Sequence, residues 1–167
     1  MVELGIDPWL VLRTRSQHEN AVENDLQARR ITAYLPRRNV VRRLKDRKIV
    51  VQAPLFPGYV FIRPRVDQYE KIRYIRGSCG LVLVGTQAAA MPESDLDAVR
   101  ILENSGAALV VNPRLIPGRR VEVRAGPFMG IQGELIRIKS KERLVINARL
   151  LASSVSVEVD SDSVAAL

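Results

Sequence analysis

The sequence predicts an α+β domain, an antiparallel sheet with helices, followed by a small all-β barrel. Three observations carry that expectation. Up to Gly106, short β-branched runs alternate with amphipathic stretches of helical period. Residues 107–117 hold Pro113 and Pro117 and have no amphipathic period, which reads as a partly extended linker. From Gly118 onward the texture is wholly β. The expected division is therefore 7–106, a linker over 107–117, and a barrel over 118–165, which suits a chain of 167 residues.

The first strand is Trp9-Leu10-Val11-Leu12-Arg13, ending where Arg13 and Arg15 bring charge. Ser16 followed by Glu19 is a capping-box pattern, because the hydroxyl can accept from the amide three residues on while the glutamate returns to the cap. It predicts a helix from Gln17 to about Arg30, with Ala21, Val22, Leu26 and Ala28 as its apolar stripe and Glu19 and Glu23 off it. A short strand over 31–35 stops at Pro36. Residues 39–44 and 48–52 flank Lys45-Asp46-Arg47 as a basic β-hairpin.

The stretch Pro54-Leu55-Phe56-Pro57-Gly58-Tyr59-Val60-Phe61-Ile62-Arg63 then predicts a strand beginning near Gly58, since the prolines remove backbone donors ahead of it. Alternation puts Val60 and Ile62 on one face and Tyr59 and Phe61 on the other. Helices of an α+β domain usually cover one face only, so Val60 and Ile62 are expected to be buried. Tyr59 and Phe61 are expected to be partly accessible or covered by a displaceable element.

A short helix over 66–76 carries Tyr69, Ile72 and Ile75 and ends before Gly77. The apolar Leu81-Val82-Leu83-Val84 reads as a central strand stopped by Gly85. Pro92 opens a helix with Glu93 and Asp95 in its first turn and Leu96, Val99, Ile101 and Leu102 along it. Barrel strands are expected at 121–123, 133–138, 144–146 and 155–159, with Gly126, Gly130 and Gly133 turning the chain.

Charge narrows the class of partner. The formal charge is +8, and nine basic residues against one acid lie between Arg29 and Lys48, so this segment accounts for the whole excess. A field so concentrated suits nucleic acid phosphate or an acidic protein surface, with a merely solvated, aggregation-resistant hairpin as the plain alternative. One cysteine, Cys79, allows no internal disulfide and fits a reducing compartment. No apolar run approaches the roughly 20 residues that span a bilayer, and the N-terminus lacks the features of a signal peptide, so a cytoplasmic protein without a membrane partner is expected.

Catalysis finds no support. A single histidine, His18, and a single cysteine exclude a His/Cys metal cluster, and no nucleophile–base motif joins them. No glycine loop has the spacing of a phosphate cradle, and Asp95 and Asp97 read as helix-surface acids. Neither a metal nor a cofactor is expected.

Trp9 with its strand, the Ser16 helix and Leu55-Phe56-Pro57-Gly58-Tyr59-Val60-Phe61 resemble the N-terminal domain of the NusG family of transcription elongation factors. Gly118-x-x-Val121-x-Val123-x-x-Gly126-Pro127-Phe128-x-Gly130-x-x-Gly133 resembles that family's SH3-like KOW barrel. The resemblance implies binding to the clamp helices of the largest subunit of RNA polymerase, with Phe56, Tyr59 and Phe61 at the matching positions. It also implies contact with the non-template DNA strand near the upstream fork, for which Arg15 and Arg76 match and the nearby His18 is a candidate for stacking or hydrogen bonding. Arg42, Arg43, Arg47 and Lys48 on the hairpin are nucleic-acid candidates by charge alone. In the family the barrel recruits Rho or a small-subunit ribosomal protein. Here Arg119 replaces the usual acid and Ala152-Ser153-Ser154-Val155-Ser156 replaces the family's Gly-Arg-x-Thr-Pro loop, which puts both partners in question. These departures point to a specialised antiterminator paralogue of the RfaH or UpxY type, expected as a monomer. The rival expectation is an RNA-binding or ribosome-associated module built on the basic hairpin and the KOW barrel.

Overall fold

A computed structural model describes residues 7–167. Its strands in the first half are β1 (Trp9–Thr14), β2 (Thr32–Tyr34), β3 (Arg37–Arg43), β4 (Lys48–Pro54), β5 (Tyr59–Arg63), β6 (Ser78–Leu81), β7 (Leu83–Val84), β8 (Gln87–Ala88) and β9 (Ala90–Met91). The second half adds β10 (Val110–Asn112), β11 (Arg119–Val123), β12 (Gln132–Ile138), β13 (Lys141–Ala148), β14 (Ser153–Glu158) and β15 (Val164–Ala166). The α-helices are α1 (Glu19–Ala28), α2 (Tyr69–Ile72) and α3 (Glu93–Asn104). The chain divides into two compact units. One comprises the described residues through Leu35 with Phe56–Glu93, the other Pro36–Leu55 with Ser94–Leu167.

The first unit is built on an antiparallel sheet in the order β2-β5-β1-β6, with β9 also paired to β1. Leu10 lies opposite Ile62 and Leu12 opposite Val60, so the alternation read from the sequence places all four on one face. Val22 and Leu26 of α1, together with Ile72 and Ile75, complete that core, and Val60 and Ile62 are fully buried as expected.

Helix α1 begins later than the capping pattern predicts. Gln17 takes a left-handed φ of +62°, which a helix running from that residue could not contain. The Ser16 carbonyl lies 2.9 Å from His18 Nδ1, and no side chain caps the helix. The inward side is Glu19, Val22, Glu23 and Leu26, while Ala21 and Ala28 are exposed. The helical spacing was right, but the stripe is rotated and carries two carboxylates.

Residues 66–76 form less helix than expected: a 3₁₀ turn over Val66–Gln68, then the single turn of α2. Gln68 is buried, accepting from the Arg65 amide and donating to the Arg30 carbonyl, so one side chain joins this turn to the end of α1. The stretch 81–84 is not a central strand. β6 is the edge of the sheet, and Leu83 and Val84 leave it to pair with Ala88 and Gln87 around Gly85, which leaves them 56% and 65% exposed. Apolar content alone could not separate a buried strand from this small exposed ribbon.

In the second unit β3 and β4 pair from Arg37 with Pro54 to Arg43 with Lys48, the basic hairpin predicted. The barrel strands form one antiparallel sheet in the order β10-β14-β13-β12-β11-β15. Val121, Val123, Leu135, Leu144 and Val155 are among its buried residues. Two strands at its margins were not foreseen: β15 at the C-terminal end, and β10 inside the segment read as linker. The Asn147 side chain ties that segment down, with Oδ1 accepting from the Ile116 amide at 2.8 Å and Nδ2 donating to the Ile116 carbonyl at 2.9 Å. Gly126 and Gly130 turn the chain at positive φ, whereas Gly133 lies within β12. A Cβ at Gly133 would sit 2.7 Å from the Val145 carbonyl oxygen, so this glycine serves close strand approach rather than a turn.

Candidate functional site

The Phe56–Arg63 stretch meets its expectations unevenly. Phe61 lies across from Val11 of β1 and Tyr34 of β2, and it presents no surface. Its ring packs against Phe56 edge to face, with centroids 5.9 Å apart, and against Tyr34 at 6.3 Å. Such aromatic pairs favour offset or T-shaped geometry, so Phe61 is the centre of a three-ring cluster. Phe56 is itself 3% exposed. The accessibility expected of Phe61 is therefore not found. Tyr59, opposite the exposed Arg13, is half-buried.

Positioning of this strand comes from α1. Glu19, 5% exposed, accepts a hydrogen bond from the Gly58 amide at 3.1 Å, while the Gly58 carbonyl accepts from Thr14 at 2.9 Å. The residue immediately before Tyr59 is thus fixed from both sides. The capping pattern singled out Glu19 but gave it the wrong partner.

Arg15 and His18, close together in the chain, meet the distant Arg76 at Gly77. The Arg15 amide donates to the Gly77 carbonyl at 2.8 Å, and Arg76 is its chain neighbour. Gly77 has φ +91°, and a Cβ there would stand 3.0 Å from His18 Cβ and 3.1 Å from its Cδ2. The imidazole therefore lies against the glycine backbone. Arg15 and Arg76 are exposed, and His18 is half-buried. Among the described residues neither arginine forms an ion pair, so both cations are available to an anion. Such a grouping of cations and one ring can hold a phosphate backbone.

The four hairpin candidates lie at the hairpin's end. Arg43 pairs with Lys48, Arg42 faces Ile49, and the Leu44 amide closes the loop onto the Arg47 carbonyl at 2.7 Å. All four are exposed, as are Val41 and Val50, which face each other across the ribbon.

Asp95, read as a surface acid, is half-buried. Burial pushes its carboxyl above the ordinary value, against the pull of Arg120 and Arg149. Asp97 is paired with Arg100 at 3.1 Å. Among the described residues there is no cluster of His, Cys, Asp and Glu suited to a metal ion.

Comparison with known proteins bears on the family and the fold. A family model described as "Transcription termination factor nusG" matches residues 7–100. The chain is 28% identical to the transcription termination/antitermination protein NusG of Deinococcus radiodurans, over 94% of this chain and 97% of that protein. It is 26% identical to the protein of the same name from Staphylococcus carnosus, over 97% of each. Among solved structures, one describing domain interaction in Thermotoga maritima NusG superposes with a TM-score of 0.58 at 18% identity, covering 96% of this chain and 97% of that one. At that identity the likeness speaks for the fold.

Proposed function

The chain belongs to the NusG family of transcription termination factors, non-enzymatic proteins of transcription, and on that premise we propose that it binds RNA polymerase through the strand after Gly58. The contact is to the clamp helices of the largest subunit. Tyr59 supplies the accessible ring, and Phe56 and Phe61 supply the apolar floor behind it. Holding the clamp suppresses pausing or termination, which makes the protein an antiterminator of the specialised RfaH or UpxY type. The observation that supports this reading is the half-buried Tyr59 on the face of β5 that also carries Phe61 and its Phe56 and Tyr34 partners, with the strand's entry held by Glu19 through Gly58.

In the same proposal, residues 7–106 are the polymerase-binding domain and the barrel over 118–165 recruits a second partner, a small-subunit ribosomal protein or Rho. The factor works as a monomer in the cytoplasm. Arg15, His18 and Arg76 meet the non-template DNA strand near the upstream fork, supported by their convergence on Gly77.

Retention of core polymerase by the Tyr59→Ala protein is the direct test, with in vitro transcription across a pause and a Rho-dependent terminator as its functional counterpart. Loss of retention and of read-through is expected. Unchanged retention by the folded variant removes the clamp assignment, and earlier release in place of read-through removes the antiterminator assignment.

A second reading, an RNA-binding or ribosome-associated KOW module, is favoured by one observation: the exposed charges of the hairpin end. It predicts RNA affinity that depends on Arg42, Arg43, Arg47 and Lys48 and is indifferent to Tyr59.

A further inference from the structure

The turn that leads into Gly77 presents a feature that the reading above does not use. Ile72 and Ile75, three residues apart, both point into the core of the first unit, at 4% and 3% exposure. With those two positions committed inward, Lys71, Arg73, Tyr74 and Arg76 are all turned to solvent. The backbone holds this arrangement by consecutive turns, Tyr74 amide to Lys71 carbonyl at 3.3 Å and Ile75 amide to Ile72 carbonyl at 3.2 Å. The Ser78 amide then returns to the Ile75 carbonyl at 3.1 Å, which brings Gly77 under His18 and beside Arg15.

Tyr74 is 71% exposed, more than any other aromatic side chain among the described residues. Most of its ring is open to solvent. Its neighbours Arg73 and Arg76 form no ion pair among the described residues. An open π-face flanked by unpaired guanidinium groups is the combination that single-stranded nucleic acid uses, bases stacking on the ring while phosphates meet the cations. An apolar protein surface would be poorly served by the arginines, and an acidic one would have no use for the ring.

We infer that Tyr74 is a base-stacking platform for single-stranded DNA, with Arg73 and Arg76 holding the flanking phosphates. The inference rests on the proposed DNA contact of Arg15, His18 and Arg76, and it extends that contact from phosphate to base. Because every base has a stacking face, the platform adds affinity without requiring a particular sequence.

The full-length protein, titrated into fluorescein-labelled oligodeoxythymidine at low salt and followed by anisotropy, tests it. Tyr74→Ala weakens binding by about fivefold or more, while Tyr74→Phe, which keeps the ring face, binds as the unaltered protein does. The Arg15→Ala/Arg76→Ala double variant serves as the control for the site itself. If the double variant loses affinity and Tyr74→Ala does not, the platform is overturned and the phosphate contact stands. If all variants bind equally, both are overturned. A Tyr74→Phe protein as weak as Tyr74→Ala assigns the effect to the hydroxyl and overturns stacking. A Tyr74→Ala protein that loses polymerase but not DNA makes the ring a protein contact and overturns the inference. With its ring outside the core, Tyr74 can be replaced without loss of the fold, which circular dichroism checks for each variant.

Discussion

The Glu19 carboxylate, in the first turn of α1, accepts the amide proton of Gly58 at 3.1 Å, and both partners lie in the first unit. A helix terminus thereby sets the entry of a strand 39 residues away in sequence. Glu19→Ala leaves the Gly58 donor without this charged acceptor in a partly buried setting and is expected to cost about 1–3 kcal/mol. Glu19→Gln retains an acceptor oxygen and is expected to lose less. Thermal unfolding of the two variants checks the order, and equal losses would mean that packing of the side chain, not its hydrogen bond, is what matters.

Tyr59 and Phe61 share a face of β5, yet they call for different experiments. Phe61 has no exposed surface and touches Phe56 and Tyr34. Its truncation to alanine is expected to cost about 3–5 kcal/mol by cavity formation, so a loss of polymerase binding in Phe61→Ala reports on folding first. Tyr59→Ala is expected to keep near-native stability and lose binding selectively. Denaturant melts run beside the polymerase retention assay separate the two. A Tyr59→Ala protein as unstable as Phe61→Ala would contradict the distinction.

How much of this was legible in the sequence depends on the range of the interactions concerned. Period-two alternation correctly placed Val60 and Ile62 on one buried face, because that face is set by the strand itself, while the register with Leu12 and Leu10 came only with the structure. Phe61 escaped because its burial depends on Tyr34 arriving from β2 and on Phe56 folding back, neither of which a local pattern encodes. Leu83 and Val84 failed for the converse reason: four apolar residues in a row look central, but the neighbouring segment Gln87–Ala88 takes two of them off the sheet. The grouping of Arg15, His18 and Arg76 was reached through family resemblance, and the Gly77 carbonyl that joins them was not visible at all.

Gly77 therefore offers a probe that alters none of the candidate side chains. With φ +91° and His18 against its backbone, Gly77→Ala is expected to cost roughly 1–2 kcal/mol from the left-handed conformation alone. Displacement of the imidazole comes in addition. Single-stranded DNA affinity should fall along with the melting temperature. A stable Gly77→Ala protein with unchanged DNA affinity would show that the convergence on Gly77 is not required for binding.

The exposed hairpin charges predict a salt dependence. If Arg42, Arg43, Arg47 and Lys48 each meet a phosphate, neutralising any one lowers the slope of log affinity against log salt by about 0.7 for a single strand. Filter binding to single-stranded RNA over a range of potassium chloride concentrations measures that slope for each alanine variant. Slopes unchanged by all four substitutions would assign the hairpin a solubilising role.

Asp95 is expected to tie stability to pH. It lies in the first turn of α3, where the helix dipole favours a negative charge, and Arg120 and Arg149 favour it too, yet burial prevails and its carboxyl titrates above the ordinary 3.8. In the window between 3.8 and that raised native value, the unfolded chain has released the proton while the folded chain still holds it. Stability therefore falls as pH rises through the window, and the charged carboxylate remains a net cost at neutrality. Asp95→Asn, which is neutral at every pH, should melt higher than the unaltered protein at neutral pH and show no advantage below the window. Melting curves for the two proteins, recorded from below pH 3.8 to neutrality, decide the matter. A variant that melts lower at neutral pH would mean that attraction to Arg120 and Arg149 outweighs the cost of burying the charge.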